Sequence, residues 1–102
     1  MKDVKFIAEG VFVGALNSTS VDKGDGNIVS LTDFVINNHI ADSRGTVKEQ
    51  PLKITAYNKN ARLLEDLKPG DKVIVNGYVR GKYNHKKDEY WTNLVMKTID
   101  IL

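Results

Sequence analysis

The chain has 102 residues, of which 41% are apolar, and this length suits one compact domain spanning residues 1–102. It contains no cysteine, which excludes disulfides, thiolate metal ligands and a thiol nucleophile. No apolar run approaches the ~20 residues of a membrane span and the N-terminus has no signal-peptide core, so we expect a cytoplasmic protein. The formal charge of +2 is too small to indicate a nucleic-acid partner by itself.

The basic residues are concentrated in two segments of the chain. Residues 43–62 hold five basic residues and one acidic residue, and residues 80–87 hold four basic residues and no acidic one. A charged run of this kind is commonly a solvated surface. The two basic segments form one binding surface only if the fold brings both of them to the same face.

Alternating, β-branched and aromatic residues predict five strands with polar connections. The predicted strands cover residues 4–16, 28–37, 52–57, 72–80 and 90–102. The predicted connections are a turn region over 17–27 with residues 24–26 at its tip, a polar loop over 38–51, and a polar loop or hairpin over 81–89.

The third predicted strand has the cleanest alternation. Leu52, Ile54 and Ala56 are expected to face inward, and Lys53, Thr55 and Tyr57 outward.

One helix is predicted over residues 58–67, where Ala61, Leu64 and Leu67 recur every three residues with Leu63 beside them. Asn58 or Asn60 is the candidate cap, and residues 68–71 end the helix. Five short strands with one helix between the third and fourth is the order of the OB-fold, a five-stranded Greek-key barrel. The sequence therefore predicts an all-β OB-fold, in preference to an SH3-like barrel that does not need this helix.

The second half of the chain carries a series of motifs. They are ITAYNK at 54–59, LKPGDKVIVNGYVR at 67–80, YWT at 90–92 and IDIL at 99–102. In these motifs and their spacing, residues 52–102 resemble the second half of the bacterial single-stranded DNA-binding protein family, and they are similar to the short primosomal replication protein of the same superfamily. Residues 4–14 and 28–37 fit that family by hydrophobic pattern alone.

The sequence departs from the family pattern in three places. The family's long tail with an acidic tip, which recruits partners, has no counterpart after Leu102, so we expect that function to be missing. Pro51 stands where the family has a tryptophan before the third strand, and the loop over 38–50 has no aromatic residue. Tyr83 replaces the hairpin tryptophan. We expect base stacking to be reduced but present.

The resemblance implies binding of single-stranded DNA with little sequence preference, in replication, recombination or repair, by a homodimer or homotetramer. Such binding needs cations along the phosphates and flat side chains against the bases. In an OB-fold, the ligand crosses the second and third strands between the strand 1–2 and strand 4–5 loops. The expected nucleic-acid-binding residues are Lys53, Thr55, Tyr57, Lys59, Arg80, Lys82, Tyr83, Lys86, Lys87 and Trp91.

Each aromatic candidate has an alternative place. Tyr57 also fits the core or a dimer interface, and Tyr83 also fits an ordinary loop. Trp91 fits DNA stacking, an oligomer interface or the barrel core equally well, and Tyr78 carries the same ambiguity. The residues expected in the core are Phe6, Phe12 and Phe34.

Two other functions stay open on the sequence. One is a protein-interaction adaptor with an OB-fold and no nucleic acid, which the missing tryptophans and small net charge favour. The other is binding of single-stranded RNA. An enzyme is not expected, because His39 and His85 lie in separate predicted loops without metal-ligand spacing and no phosphate-binding glycine loop is present. We expect no cofactor, metal, small-molecule substrate or membrane partner.

Overall fold

The computed structural model describes residues 2–22, 24, 26 and 28–102. Among them, no helix has the length and apolar character needed to cross a membrane. The elements are β1 (Val4–Asp22), β2 (Ile28–Ala41), β3 (Val47–Tyr57), the 3₁₀ helix η1 (Asn58–Leu64), β4 (Lys72–Asn84) and β5 (Glu89–Ile101).

The five strands form a closed barrel in the order β1-β2-β3-β5-β4. The long strand β1 pairs with β4 through residues 4–11 and with β2 through residues 11–22. All pairings are antiparallel except that of β3 with β5, which pairs Ile54 with Leu94 and Thr55 with Val95. The predicted all-β OB-fold, with one short helix between the third and fourth strands, is confirmed.

Alternate residues of the strands fill the barrel, as the two-residue period of a strand requires. Phe12 and Phe34 pack with ring centroids 6.1 Å apart, and Phe6 is half-buried against this core. Leu64 of η1 joins them with 6% of its surface exposed. The fully buried large side chains are Phe34, Ile36, Ile54, Met96, Val73 and Val75.

The barrel closes where β5, while still paired with β4, also pairs with β3 through Leu94 and Val95. The register between β4 and β5 shifts after Asn76, so that Gly77 faces Met96 and Lys97 has no partner, which is a β-bulge. A Cβ at Gly77 would overlap the carbonyl oxygen of Val95 and lie 2.8 Å from Cε1 of Phe6. The close approach of β5 therefore requires glycine at this position.

β1 is longer than the sequence predicted. It continues to Asp22 instead of ending at residue 16, so the predicted turn over 17–27 is wrong in its first half. The side chains of Ser18 and Thr32 hydrogen-bond at 2.9 Å across the β1–β2 pair. The polar composition of residues 17–22 predicted a turn, yet a strand forms there because a strand ladder is built from backbone groups and does not need apolar side chains. Residues 23, 25 and 27 of the predicted turn lie outside the described residues.

The predicted loop over 38–51 is also wrong. β2 continues to Ala41 and β3 begins at Val47, which leaves a tight turn in which Oδ1 of Asp42 accepts hydrogen bonds from the backbone N–H groups of Arg44 (2.8 Å) and Thr46 (2.9 Å). His39 is consequently a strand residue opposite Glu49 rather than a loop residue. We refer to residues 38–50 as the β2–β3 arm.

The fourth strand and its connection differ in the same way. β4 runs to Asn84 rather than Arg80, and the connection contains only residues 85–88. Residues 80–93 thus form a two-stranded hairpin, which we call the β4–β5 arm.

The predicted helix over 58–67 is a shorter 3₁₀ helix that ends at Leu64. No side chain caps it, and Oδ1 of Asn58 instead accepts a hydrogen bond from the backbone N–H of Ser30 at 3.2 Å. Three residues per turn keep Ala61 and Leu64 on one side. Leu63 falls on another side and is 46% exposed, so its predicted place among the apolar residues is wrong.

We predict that Gly77→Ala will destabilise the barrel, because the new methyl group meets backbone that cannot move without opening the β3–β5 closure. The expected cost is about 3 kcal/mol, which lowers the melting temperature by more than ~10 °C. Gly81→Ala in the same strand is the matched control, because a Cβ there has nothing within 4 Å. Equal melting temperatures of the two variants, measured by circular dichroism, would contradict this account.

Candidate nucleic-acid interface

One row of residues crosses the outside of the barrel and defines its outer face. Thr55 of β3 lies opposite Val95 of β5, Val95 opposite Tyr78 of β4, and Tyr78 opposite Lys5 of β1. Val95 is covered by its neighbours and only 3% exposed, so ligand-accessible groups of this face lie around it. Residues directly opposite each other in paired strands project to the same side. The core residues Ile54 and Val75 alternate with this row and project inward.

Aromatic and basic side chains lie on either side of that row. Lys53 and Tyr57 each stand two residues from Thr55 in β3, so they share its face. The same alternation places Arg80 and Lys82 with Tyr78 in β4, and Trp91 lies directly opposite Lys82. The outer face therefore contains Lys53, Thr55, Tyr57, Tyr78, Arg80, Lys82 and Trp91. The outward placement predicted for Lys53, Thr55 and Tyr57 is confirmed.

The Arg80 guanidinium lies over an aromatic ring. Its Cζ is 4.5 Å from the centroid of Tyr78, and its Nη1 is 3.9 Å from Oδ1 of Asp3. Both sides of the Arg80–Asp3 pair are well exposed, so the pair contributes little stability. Together, the contacts with Tyr78 and Asp3 place the positive charge of Arg80 above the outer face.

Trp91 is 49% exposed, and the core position considered for it is wrong. Its indole N–H donates a hydrogen bond to Oε2 of Glu89 at 3.1 Å. About half of the residue's surface faces solvent beside Lys82, where a base or another protein chain can contact it. Tyr57 is half-buried on the outer face, opposite Leu31, and is likewise outside the core.

Tyr83 projects to the opposite side of the β4–β5 arm from Lys82 and Trp91. It lies opposite Tyr90, with ring centroids 4.8 Å apart, and its ring meets that of His85 edge-on at 4.6 Å. Tyr90 is 83% exposed. The sequence pattern did not identify Tyr90 and His85 as neighbours of Tyr83. Both lie in or beside the connection between β4 and β5, whose ends the sequence analysis misplaced.

A hydrogen bond holds Tyr83 in place. Its hydroxyl donates to Oδ1 of Asp88 at 2.6 Å, and this bond, with a smaller effect of burial, raises the pKa of Tyr83 above 10.0. Asp88 has a φ of 51°, a left-handed conformation that aspartate tolerates. Oδ1 of Asn84 accepts hydrogen bonds from the backbone N–H groups of Lys86 (3.0 Å) and Lys87 (3.4 Å). Both lysines thus sit at the tip of the arm, away from the sheet.

The fold brings together only part of the basic residues. Lys53 shares the outer face with Arg80 and Lys82, whereas Lys48 lies in the β2–β3 arm and Lys59 is exposed in η1. Because β3 extends about 3.3 Å per residue, its two ends lie roughly 33 Å apart. The first basic segment is therefore divided between the two ends of β3.

One acidic side chain also belongs to the outer face. Asp33 of β2 lies directly opposite Thr55, and the Thr55 hydroxyl donates a hydrogen bond to its Oδ1 at 2.6 Å. Both residues are partly buried. The sequence pattern did not indicate Asp33, because neither parity of its strand is cleanly polar.

No protein-family model and no curated protein sequence matches the chain. Solved structures do resemble it. The protein PriB from Ralstonia solanacearum superposes with a TM-score of 0.67 at 11% identity, covering 96% of both chains, and a second structure of PriB gives 0.67 at 12% identity with 97% of this chain and 98% of that one.

The small single-stranded DNA-binding protein from Streptomyces coelicolor superposes with a TM-score of 0.55 at 13% identity, covering 99% of this chain and 94% of its own. PriB is primosomal replication protein B. These are the two kinds of protein that the second half of the sequence resembles. The chain has the OB-fold that they share, over nearly its whole length.

Proposed function

We propose that this chain binds single-stranded DNA across its outer face, with little sequence preference and without catalysis. The observation that carries this proposal is that aromatic and basic side chains from β3, β4 and β5 converge on one side of the barrel. In an OB-fold, this side of β2 and β3 is where oligonucleotides bind. Binding of this kind serves DNA replication, recombination or repair.

The two components of the outer face match the two components of the ligand. Tyr57 and the exposed half of Trp91 offer flat surfaces to unpaired bases, and stacking on an aromatic ring is worth ~1–3 kcal/mol per base. Lys53, Arg80 and Lys82 neutralise phosphates along the same strand. A duplex hides the faces of its bases, so we expect it to bind more weakly.

The β4–β5 arm extends this surface. Tyr83 and Tyr90 present rings on its second side, and Lys86 and Lys87 present charge at its tip. A strand that leaves the outer face can therefore contact the arm on either side. Lys59, just beyond Tyr57, is the corresponding contact at the other end of β3.

The fold of the Streptomyces coelicolor protein supports this proposal, since its name states that it binds single-stranded DNA. We further propose that residues 1–102 act as one OB-fold unit in a homodimer or homotetramer. Large exposed apolar side chains in β1 support association, with Val4 65% and Ile7 70% exposed.

The salt dependence of the affinity should report how many phosphates the protein neutralises. If Lys53, Arg80 and Lys82 each neutralise one phosphate, the affinity for single strands should fall roughly 20-fold between about 50 and about 200 mM salt. The measurement is fluorescence anisotropy of a labelled oligothymidylate of about 30 nucleotides, which exceeds the ~4–16 nucleotides of one OB-fold site.

A duplex and an oligouridylate of the same length serve as comparisons. Tighter binding of the uridylate would make RNA the ligand. Absence of binding at about 50 mM salt, a condition that favours phosphate contacts, would contradict the proposal and favour a protein-interaction adaptor.

Removing either ring from the outer face should weaken binding. Tyr57→Ala and Trp91→Ala should each reduce the affinity for oligothymidylate about 5- to 150-fold, because each removes one stacking surface. Ile101→Ala is the control, since it truncates a side chain that is 58% exposed at the far end of β5 from Trp91. If all three variants keep their melting temperature and bind alike, the outer face is not the DNA site.

The hydrogen bond between Tyr83 and Asp88 should be visible in a pH titration. Asp88→Gly suits the positive φ of this position and removes the acceptor, so the pKa of Tyr83 should fall back toward 10.0. Because the folded pKa is raised, the bond stabilises the fold below pH 10, and this contribution is lost as pH rises through the raised pKa.

The readout is tyrosinate absorbance, with a Tyr83→Phe variant subtracted to isolate Tyr83 from the other tyrosines. An unchanged titration of Tyr83 in the Asp88→Gly variant would show that the carboxylate does not set this pKa. Asp100→Asn, which removes a carboxylate elsewhere, should leave the titration as it is.

A further inference from the structure

We infer that Asp33 reads the bases of the bound strand and favours those that present hydrogen-bond donors, guanine above all, over thymine. This inference rests on the proposed binding of single-stranded DNA to the outer face. It adds a preference among bases that stacking and phosphate contacts do not create.

Asp33 lies on the β2 side of the outer face, directly opposite Thr55. Its register partner Thr55 has the stacking candidate Tyr57 two residues to one side and the phosphate candidate Lys53 two residues to the other. Asp33 and Tyr57 are diagonal neighbours across the β2–β3 pair, and such neighbours lie about 7–8 Å apart. A base stacked on Tyr57 therefore has its edge within reach of the Asp33 carboxylate.

The carboxylate is held in place and still has free acceptor capacity. The Thr55 hydroxyl donates to Oδ1 at 2.6 Å, which fixes the rotation of the group. Among residues 2–22, 24, 26 and 28–102, no donor reaches Oδ2 and no lysine or arginine nitrogen lies within 4 Å of either oxygen. One oriented oxygen thus remains available to a ligand.

An ionised carboxylate accepts hydrogen bonds and donates none. It repels phosphates, so a strand that crosses this position must turn a base rather than its backbone toward Asp33. Guanine offers two adjacent donors, N1–H and the N2 amino group, which the free Oδ2 and the remaining acceptor site of Oδ1 can accept. Cytosine and adenine each offer one amino group. Thymine offers one N–H between two carbonyl oxygens that the carboxylate repels.

The neighbouring residues leave room for this contact. Next to Asp33 in β2, on the same face, Val35 lies opposite Gly14 of β1. A Cβ at Gly14 would have nothing within 4 Å, so the surface beside Val35 is open. No bulky side chain at this position of β1 covers the approach from that direction.

The test compares the wild-type affinity for oligothymidylate with that for alternating thymine–cytosine and thymine–guanine strands of equal length. The buffer contains a lithium salt, which keeps the thymine–guanine strand from folding on itself. We expect guanine-containing strands to bind at least about fivefold more tightly than oligothymidylate, with cytosine between them, since a matched base contact discriminates by this much at its lower end. An alternating strand can slide until guanine meets Asp33.

Asp33→Asn keeps the shape of the side chain and an acceptor for Thr55, but it replaces the free oxygen by a donor and removes the charge. The guanine preference should disappear while the affinity for oligothymidylate rises, because phosphates are no longer repelled. A purely structural role for the Asp33–Thr55 hydrogen bond would change the melting temperature and leave the ratio of affinities unaltered. Asp100→Asn in β5 removes an equal charge from an exposed carboxylate and should not change the ratio.

The outcomes separate this inference from the proposed function. Wild-type protein that binds all strands equally tightly, or an Asp33→Asn variant that retains the guanine preference, would overturn base reading and leave single-strand binding intact. Wild-type protein that binds none of the strands would overturn both.

Discussion

The rest of the structure depends on the closure of the barrel between β3 and β5. Two register pairs join β3 and β5. β5 comes close enough to β3 to form them because it has a bulge at Lys97 and passes close over Gly77. Without this closure, Thr55, Val95 and Tyr78 would not form one row. Side chains from β3 and β4 would then belong to separate surfaces, and no continuous outer face would exist.

The balance of charge on that face differs from the balance over the whole chain. A net charge of +2 describes a nearly neutral protein, yet Lys53, Arg80 and Lys82 lie on one face. Other basic residues lie in the β2–β3 arm, in η1 and at the tip of the β4–β5 arm. Asp33 stands among the gathered cations without an ion pair to any described residue. A phosphate and a base edge would therefore find different partners within a short distance on the same sheet.

The strong alternation in β3 allowed the sequence to predict both its inward side, Ile54 and Ala56, and its outward side, Lys53, Thr55 and Tyr57. The order of the predicted strands and helix was then enough to predict the OB-fold. The extension of β1 and the β2–β3 arm could not be predicted, because residues such as Ser18 and His39 pair through backbone groups and bury little. Asp33 could not be predicted either, since its role depends on a partner 22 residues away. Tyr83 was anticipated as an aromatic of the hairpin, but its side of the hairpin depends on where the turn lies.

The β2–β3 arm differs from the barrel in what holds it together. Every side chain from His39 to Glu49 is exposed, so the arm relies on its backbone ladder and on the turn at Asp42. A two-stranded hairpin without apolar burial is only marginally stable in water. Its amide hydrogens should therefore exchange with solvent through local opening, whereas those of Ile54 and Val75 should wait for the whole barrel to unfold. We therefore expect a slowly exchanging barrel to carry an arm that opens and re-forms independently of it.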